Sequence, residues 1–335
     1  MIHSATRYVL IAAATALSAL GQSASPSTIM GAGYALPTPI NVAPGQIITV
    51  FAAGVGSTLT QPVYAGAGNL PTSLAGIGVT IQQGIAIPAP ILEVRPVSTC
   101  GAGCGVITAI TIQIPYGLLT VCNPSDVACP LIVLQTEFFV TENGVAGTPS
   151  ALTVQTDQVH ILTACDTVLG GPGTPAGTLP CQPMVTHANG ALVSTMSPAM
   201  VGEELIAYAV GLGATNPAVP TGQPAAQPVP TVETFTLDFN FHSNALAAEP
   251  QNSRTTAPLP SPPIPLFAGL TAGYPGLYQI NFIVPMLQSG ALPCAYGEPP
   301  PPGTSSGGAF TSNLTVSVGG ATSFDGAAIC VALVQ

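Results

Sequence analysis

The segment PGQIITVFAAGVG at 44–56 returns as VGEELIAYAVGLG at 201–213, so that Gly45, Gly54 and Gly56 fall on Gly202, Gly211 and Gly213. Two more segments recur in the same order: ITIQIP at 110–115 matches YQINFIVP at 278–285, and FFVTENG at 138–144 matches LTVSVGG at 314–320. Offsets of 157, about 170 and 176 residues are too long for a solenoid unit and fit a repeat of domain size, roughly 130–150 residues. Such a duplication means that one architecture is built twice.

The repeated segments read as β-structure. Ile47, Thr49 and Phe51 alternate with Ile48 and Val50 in a run apolar enough to be a buried strand, and Gly54 and Gly56 then supply the backbone freedom of a turn or bulge. Asn143-Gly144 is a type I′ hairpin signal, with Gly319-Gly320 at the equivalent place in the second half. Strands are expected to end at Ile114-Pro115 and Val284-Pro285, because proline cannot donate to a ladder and restricts the residue before it. With 37 Gly and 36 Pro punctuating short apolar runs, the chain is expected to be all-β: two tandem immunoglobulin-like β-sandwich domains. The polar stretch from Gln155 to His160 places the boundary near residue 157, giving domains at 26–157 and 158–335. Thr215 to Thr231 and Glu249 to Pro265 are Pro-rich and read as semi-rigid extended loops, and Tyr296 to Gly308 as a further loop.

Residues 1–25 read as a secretory signal peptide, with Arg7 ahead of an apolar run from Tyr8 to about Leu20 and small or polar residues through Ser25. No later stretch is long and apolar enough for a bilayer span, so the expectation is a secreted or cell-surface chain with no integral membrane segment. Eight cysteines behind an export signal imply disulfides. Cys100 with Cys104, Cys122 with Cys129, and Cys165 with Cys181 are spaced as local clips, which leaves Cys294 and Cys330 to join distant segments. All 105 connectivities of eight cysteines stay open at this stage.

Charge and chemistry exclude more than they identify. Lysine is absent, the basic residues are Arg7, Arg95 and Arg254, and loss of the leader takes the net charge from −10 to −11. Nucleic acid and anionic lipid would be repelled. Neither CxxC pairs nor an Asp-x-Asp-x-Asp-Gly run is present, so no metal site is assigned. Calcium, the best ionic option, would have to draw on the scattered Asp126, Glu142, Asp157, Asp166 and Asp325. A Gly-x-Ser-x-Gly elbow is lacking, and His160, His187 and His242 read as surface residues in strand-like contexts. The adjacent pair Glu203-Glu204 would point to opposite faces of a strand. No catalytic residue and no cofactor is therefore assigned.

The segments APGQIITVF at 43–51, LPTSLAGIGVTI at 70–81, GEELIAYAVGLGATNP at 202–217 and GLYQIN at 276–281 resemble the Solibacter-type C-terminal domain family of exported acidobacterial proteins. The resemblance covers most of the chain after the leader and implies an Ig-like sandwich in a secreted protein, with no catalytic residues to carry over. The cysteine clips and the insert from Glu233 to Ser261 depart from that pattern. The functional expectation is a non-enzymatic structural or adhesion protein with protein partners or self-association through sheet edges. The alternative is a carbohydrate- or polymer-binding module.

Overall fold

A computed structural model describes residues 27–34, 41–97, 106–121, 135–169, 182–239, 265–286, 314–319 and 323–332. These residues are almost entirely strand and turn, as the Gly/Pro punctuation requires, and the one helical element among them is the 3-10 turn Thr167–Leu169. Among the described residues no helix is long and apolar enough to cross a membrane.

Among the described residues the strands form sheets of five, seven, six and three strands. In the first sheet the spatial order is Thr28–Gly33, Ile47–Ala53, Ile107–Gln113, Ile91–Val97, Val63–Tyr64. The second runs Asn41–Val42, Ser150–Val154, Thr136–Glu142, Ile77–Gln83, Ser73–Leu74, with Val145–Ala146 and Ile85–Pro88 attached alongside. These two sheets share one core, in which Val50, Ile110 and Ile112 meet Ile77, Val79, Ile81, Phe138 and Val140. The third sheet runs His160–Ile161, Glu204–Val210, Tyr278–Ile283, Phe267–Leu270, Val229–Pro230, and the fourth Phe235–Phe239, Leu314–Val318, Ser323–Ala327. Their common core joins Leu205, Ala207, Ile280 and Phe282 to Leu237, Phe239, Leu314 and Val316. Each large aliphatic or aromatic side chain buried this way contributes about 1.5–3 kcal/mol, and the two clusters hold most of them.

The repeat in the sequence is a repeat in register. Ile47 pairs with Gln113 and Val50 with Ile110, while Glu204 pairs with Ile283 and Ala207 with Ile280. Val79 pairs with Val140, and at the corresponding place Leu237 pairs with Val316. The glycines match too: Gly45, Gly54 and Gly56 have φ of 79°, 78° and 70°, and Gly202, Gly211 and Gly213 have 82°, 78° and 80°. Asn143 and Gly144 both take positive φ between the paired residues Glu142 and Val145, the geometry a type I′ turn requires. Gly319 is left-handed at the same place in the second half. The strands before the two X-Pro junctions end at Gln113 and Ile283.

The first edge strand is built differently in the two halves. Thr28–Gly33 pairs as one strand with Thr49 to Ala53, with a single register shift between Ile29 and Gly31, but in the second half the equivalent edge is made of two short pieces, His160–Ile161 and Val185–His187. The intervening segment carries the 3-10 turn and Cys165. Cys165 and Cys330 each take part in a disulfide bond. Cys100, Cys104, Cys122, Cys129, Cys181 and Cys294 lie outside the described residues, as do His242, Asp126, Arg254, the leader and the loops after Glu249 and Tyr296.

That inserted segment and the loop at 215–231, read from its composition as a semi-rigid extended segment, close the halves on each other. Gly222 donates to Gln113 Oε1 at 2.6 Å, Leu70 donates to Gly222 O at 2.8 Å, and Tyr116 N donates to Thr221 Oγ1 at 3.1 Å. Ile47, Leu162 and Val210 form an apolar cluster at the seam, packed with Tyr34, Leu92, Val168 and Met184. Tyr278, fully buried, donates to Gly213 O at 2.7 Å and meets Tyr116 OH at 3.1 Å. Tyr278→Phe would leave Gly213 O and the Tyr116 hydroxyl short of a partner. A loss of about 1.5 kcal/mol in denaturant unfolding is expected, and no measurable change would show that the hydroxyl pair is idle.

Candidate functional site

The polar chemistry concentrates in two histidine–carboxylate clusters, and both correct the surface reading of His160 and His187. His160 sits on the short edge strand of the third sheet, its ring stacked on Tyr34 at 3.8 Å between centroids and 18° between planes. Nε2 faces Asp166 Oδ2 at 2.9 Å and Nδ1 faces Asp325 Oδ2 at 3.0 Å. Each carboxylate is also held by backbone: Thr163 N donates to Asp166 Oδ2 at 2.6 Å, and Ile161 N and Gly326 N donate to Asp325 at 2.8 Å each. Burial alone would lower the His160 pKa, but the hydrogen bonds and charges of Asp166 and Asp325 outweigh it and hold it at about 10. The ring is therefore an imidazolium at neutral pH, with both N–H groups committed. Tyr34, pushed up by burial, stays a neutral phenol whose oxygen accepts from Gln46 Nε2 at 2.6 Å. Gln46 donates as well to Gln158 O at 3.3 Å, so the cluster ties the first half to the start of the second.

The second cluster has the outline of a Ser-His-Glu triad. His187 Nδ1 lies 2.6 Å from Glu203 Oε1, and Nε2 lies 3.1 Å from Ser197 Oγ. Val185–His187 is a strand, Ser194–Ser197 a tight turn bonded at both ends, and Glu203 immediately precedes the strand Glu204–Val210. Three details set it apart from a nucleophile site. Nε2 is also 3.1 Å from the carbonyl oxygen of Ser197, a contact that needs a hydrogen on the ring nitrogen. The Glu203 hydrogen bond, helped by that carbonyl and opposed by burial, raises the His187 pKa and keeps the proton there. A catalytic His must instead accept the serine proton. Finally, Pro198 follows the serine and has no N–H for an oxyanion, while Ser197 N is already spent on the Ser194 carbonyl and hydroxyl. The cluster staples three segments, with Glu203 Oε2 also accepting from Met200 N at 2.9 Å. Incubation with a fluorophosphonate probe is expected to leave Ser197 unlabelled by mass spectrometry, and a stoichiometric adduct there would overturn this assignment.

The acidic residues considered for calcium are largely engaged by protein donors. Asp166 and Asp325 face His160, Glu142 accepts from Gly56 N at 3.0 Å, and Asp157 accepts a short bond from Ser323 Oγ. Among the described residues no grouping of three or more His, Cys, Asp and Glu side chains is arranged to hold a metal ion. Glu203 and Glu204 part company as strand alternation demands: Glu203 bonds His187 and Glu204 accepts from Asn281 Nδ2 at 3.1 Å.

Sequence reasoning passed over the partners of both histidines. His187 and Glu203 are 16 residues apart and meet through the pairing of their strands, whereas His160 and Asp325 are 165 apart and meet where the last strand of the fourth sheet packs against the edge of the third. The sequence matches no protein-family model and no curated protein.

Proposed function

We propose that this is a non-catalytic, exported structural or adhesion protein whose two β-sandwich halves, each read as Ig-like, act as one stiff body. The observation that carries this reading is the commitment of the histidines among the described residues: both ring nitrogens of His160, and both of His187, are spent on bonds that tie segments together. A stiff two-unit body suits a spacer or a contact surface on the outside of a cell. The signal-like leader and the disulfide-bonded Cys165 and Cys330 support an oxidising destination. The resemblance to exported Solibacter-type proteins points the same way.

Self-association through sheet edges belongs to the same reading. Ile85, 70% exposed, lies on the outer strand Ile85–Pro88, and Val145, 71% exposed, lies beside the hairpin of the same sheet. With no lysine in the chain, these edges lack the usual guard against strand addition. Light scattering coupled to size exclusion, with negative-stain microscopy, on oxidised protein from the extracellular fraction tests it. Discrete oligomers or polymers are the expected result, a clean monomer at high concentration would remove self-assembly, and retention of the chain in the cytoplasm would remove export.

A further inference from the structure

The seam between the halves contains a cleft of about 360 Å³ lined by Tyr64, Leu70, Leu92, Glu93, Val168 and Leu169. Val168 and Leu169 belong to the inserted 3-10 turn of the second half, and the other four come from the first half. A cleft at such a junction, mostly apolar and at the lower end of the size range of small-molecule sites, has the shape such sites take.

Its carboxylate is placed there by a backbone irregularity. The ladder between Ile91–Val97 and Ile107–Gln113 shifts between Ile91 and Glu93, since Ile91 faces Ile112 and Glu93 faces Thr111. The extra residue, Leu92, is a bulge, a device that re-aims neighbouring side chains. Leu92 packs with the seam cluster, and Glu93 turns into the cleft. Glu93 is only 5% exposed, yet its Oε1 has no hydrogen-bond partner. Arg95 Nε stands 3.7 Å from that oxygen, close enough to offset its charge and too far to donate a hydrogen bond. Burial pushes the Glu93 pKa up, with Arg95 and a bond from Tyr64 pulling against it. Buried carboxylate oxygens are normally bonded, so an unfilled acceptor at the floor of an open cleft marks where a ligand donor would sit.

We propose that this cleft binds a small neutral molecule that pairs an apolar face with hydroxyl groups, the chemistry of a sugar ring. Glu93 Oε1 accepts from a ligand hydroxyl, and the apolar face lies against Leu70, Leu92, Val168 and Leu169. Tyr64, 66% exposed at the mouth, offers an aromatic platform. Arg95 decides against a cationic ligand, because it already compensates the carboxylate charge.

Saturation-transfer NMR on the mature full-length chain, with cellobiose, maltose and methyl glucoside as probes and cyclohexylammonium as the cationic counter-probe, tests this. At least one saccharide is expected to receive saturation and the ammonium none. Two variants locate the effect. Leu169→Trp fills the cleft from the exposed 3-10 turn without touching Glu93, and should abolish transfer while circular dichroism and melting stay unchanged. Glu93→Gln should weaken binding about tenfold, the loss expected when a hydrogen bond to a charged acceptor becomes neutral. Absence of transfer from all three saccharides, preference for the ammonium, or binding that survives in both variants would overturn the proposal. None of these outcomes bears on whether the protein is structural or self-associating.

Discussion

His160→Ala is expected to lower unfolding free energy by about 3 kcal/mol, because it removes the positive partner from between two partly buried carboxylates. Asp166 and Asp325 would then face each other unpaired, each still pinned by backbone donors and unable to turn to solvent freely. The Tyr34 ring would lose its stacked neighbour at the same time. Urea unfolding of the oxidised chain measures the loss, and a change below about 0.5 kcal/mol would place the cluster among idle surface pairs.

The same cluster sets an alkaline limit. His160 has its folded pKa raised from 6.5 to about 10. A group raised in this direction gives its full stabilisation below the unfolded value and loses it as pH climbs through the folded value. Stability contributed by His160 is therefore complete below about pH 6.5 and declines from there to about pH 10. Wild-type melting temperature should fall across that window, and His160→Ala should show a flatter profile. An equally steep fall in the variant would assign the alkaline loss to other groups.

Gly211→Ala is the second large effect, expected to cost about 3 kcal/mol or more, against about 1 kcal/mol for Gly202→Ala. Both glycines have nearly the same positive φ, 78° and 82°, so the backbone strain of a side chain is common to the two. They differ in surroundings. A Cβ on Gly211 would lie 2.0 Å from the carbonyl oxygen of Gln158, a backbone atom with little freedom, whereas a Cβ on Gly202 meets nothing within 4 Å. The difference between the two variants isolates the close approach of the linker to the third sheet. Equal melting temperatures for the pair would show that the linker yields easily.

The repeat explains why so much of the architecture was legible beforehand. Gly45, Gly54 and Gly56 recur at Gly202, Gly211 and Gly213 because a left-handed backbone position admits little else, and such positions leave a visible trace. Asn143-Gly144 announced its hairpin for the same reason. The strands that stop at Gln113 and Ile283 were marked by the prolines just beyond them, but their partners at Ile47 and Glu204 were not marked in the sequence. The reading failed at His160 and His187 and did not foresee the contacts of the loop around Gly222, where neighbours in the chain say nothing about neighbours in space. His187 sits by an Asn-Gly turn, yet its ring points back to Glu203 and Ser197 and is 9% exposed. No local pattern marked Glu93 either, since the bulge that aims it depends on pairing with a distant strand.

What the sequence alone determined is the all-β class and the positions of many of its strands and turns, because those follow from dihedral limits and burial that each short segment carries within itself. What only the tertiary structure decided is which charges meet and how the halves close: Asp325 on His160, Gly222 on Gln113, Tyr34 over the imidazolium. Those contacts join residues 100 or more apart in the chain, as in the separation of 109 between Gly222 and Gln113. Their selection rests on shape and charge across packed surfaces, which come into being only when the sheets have formed.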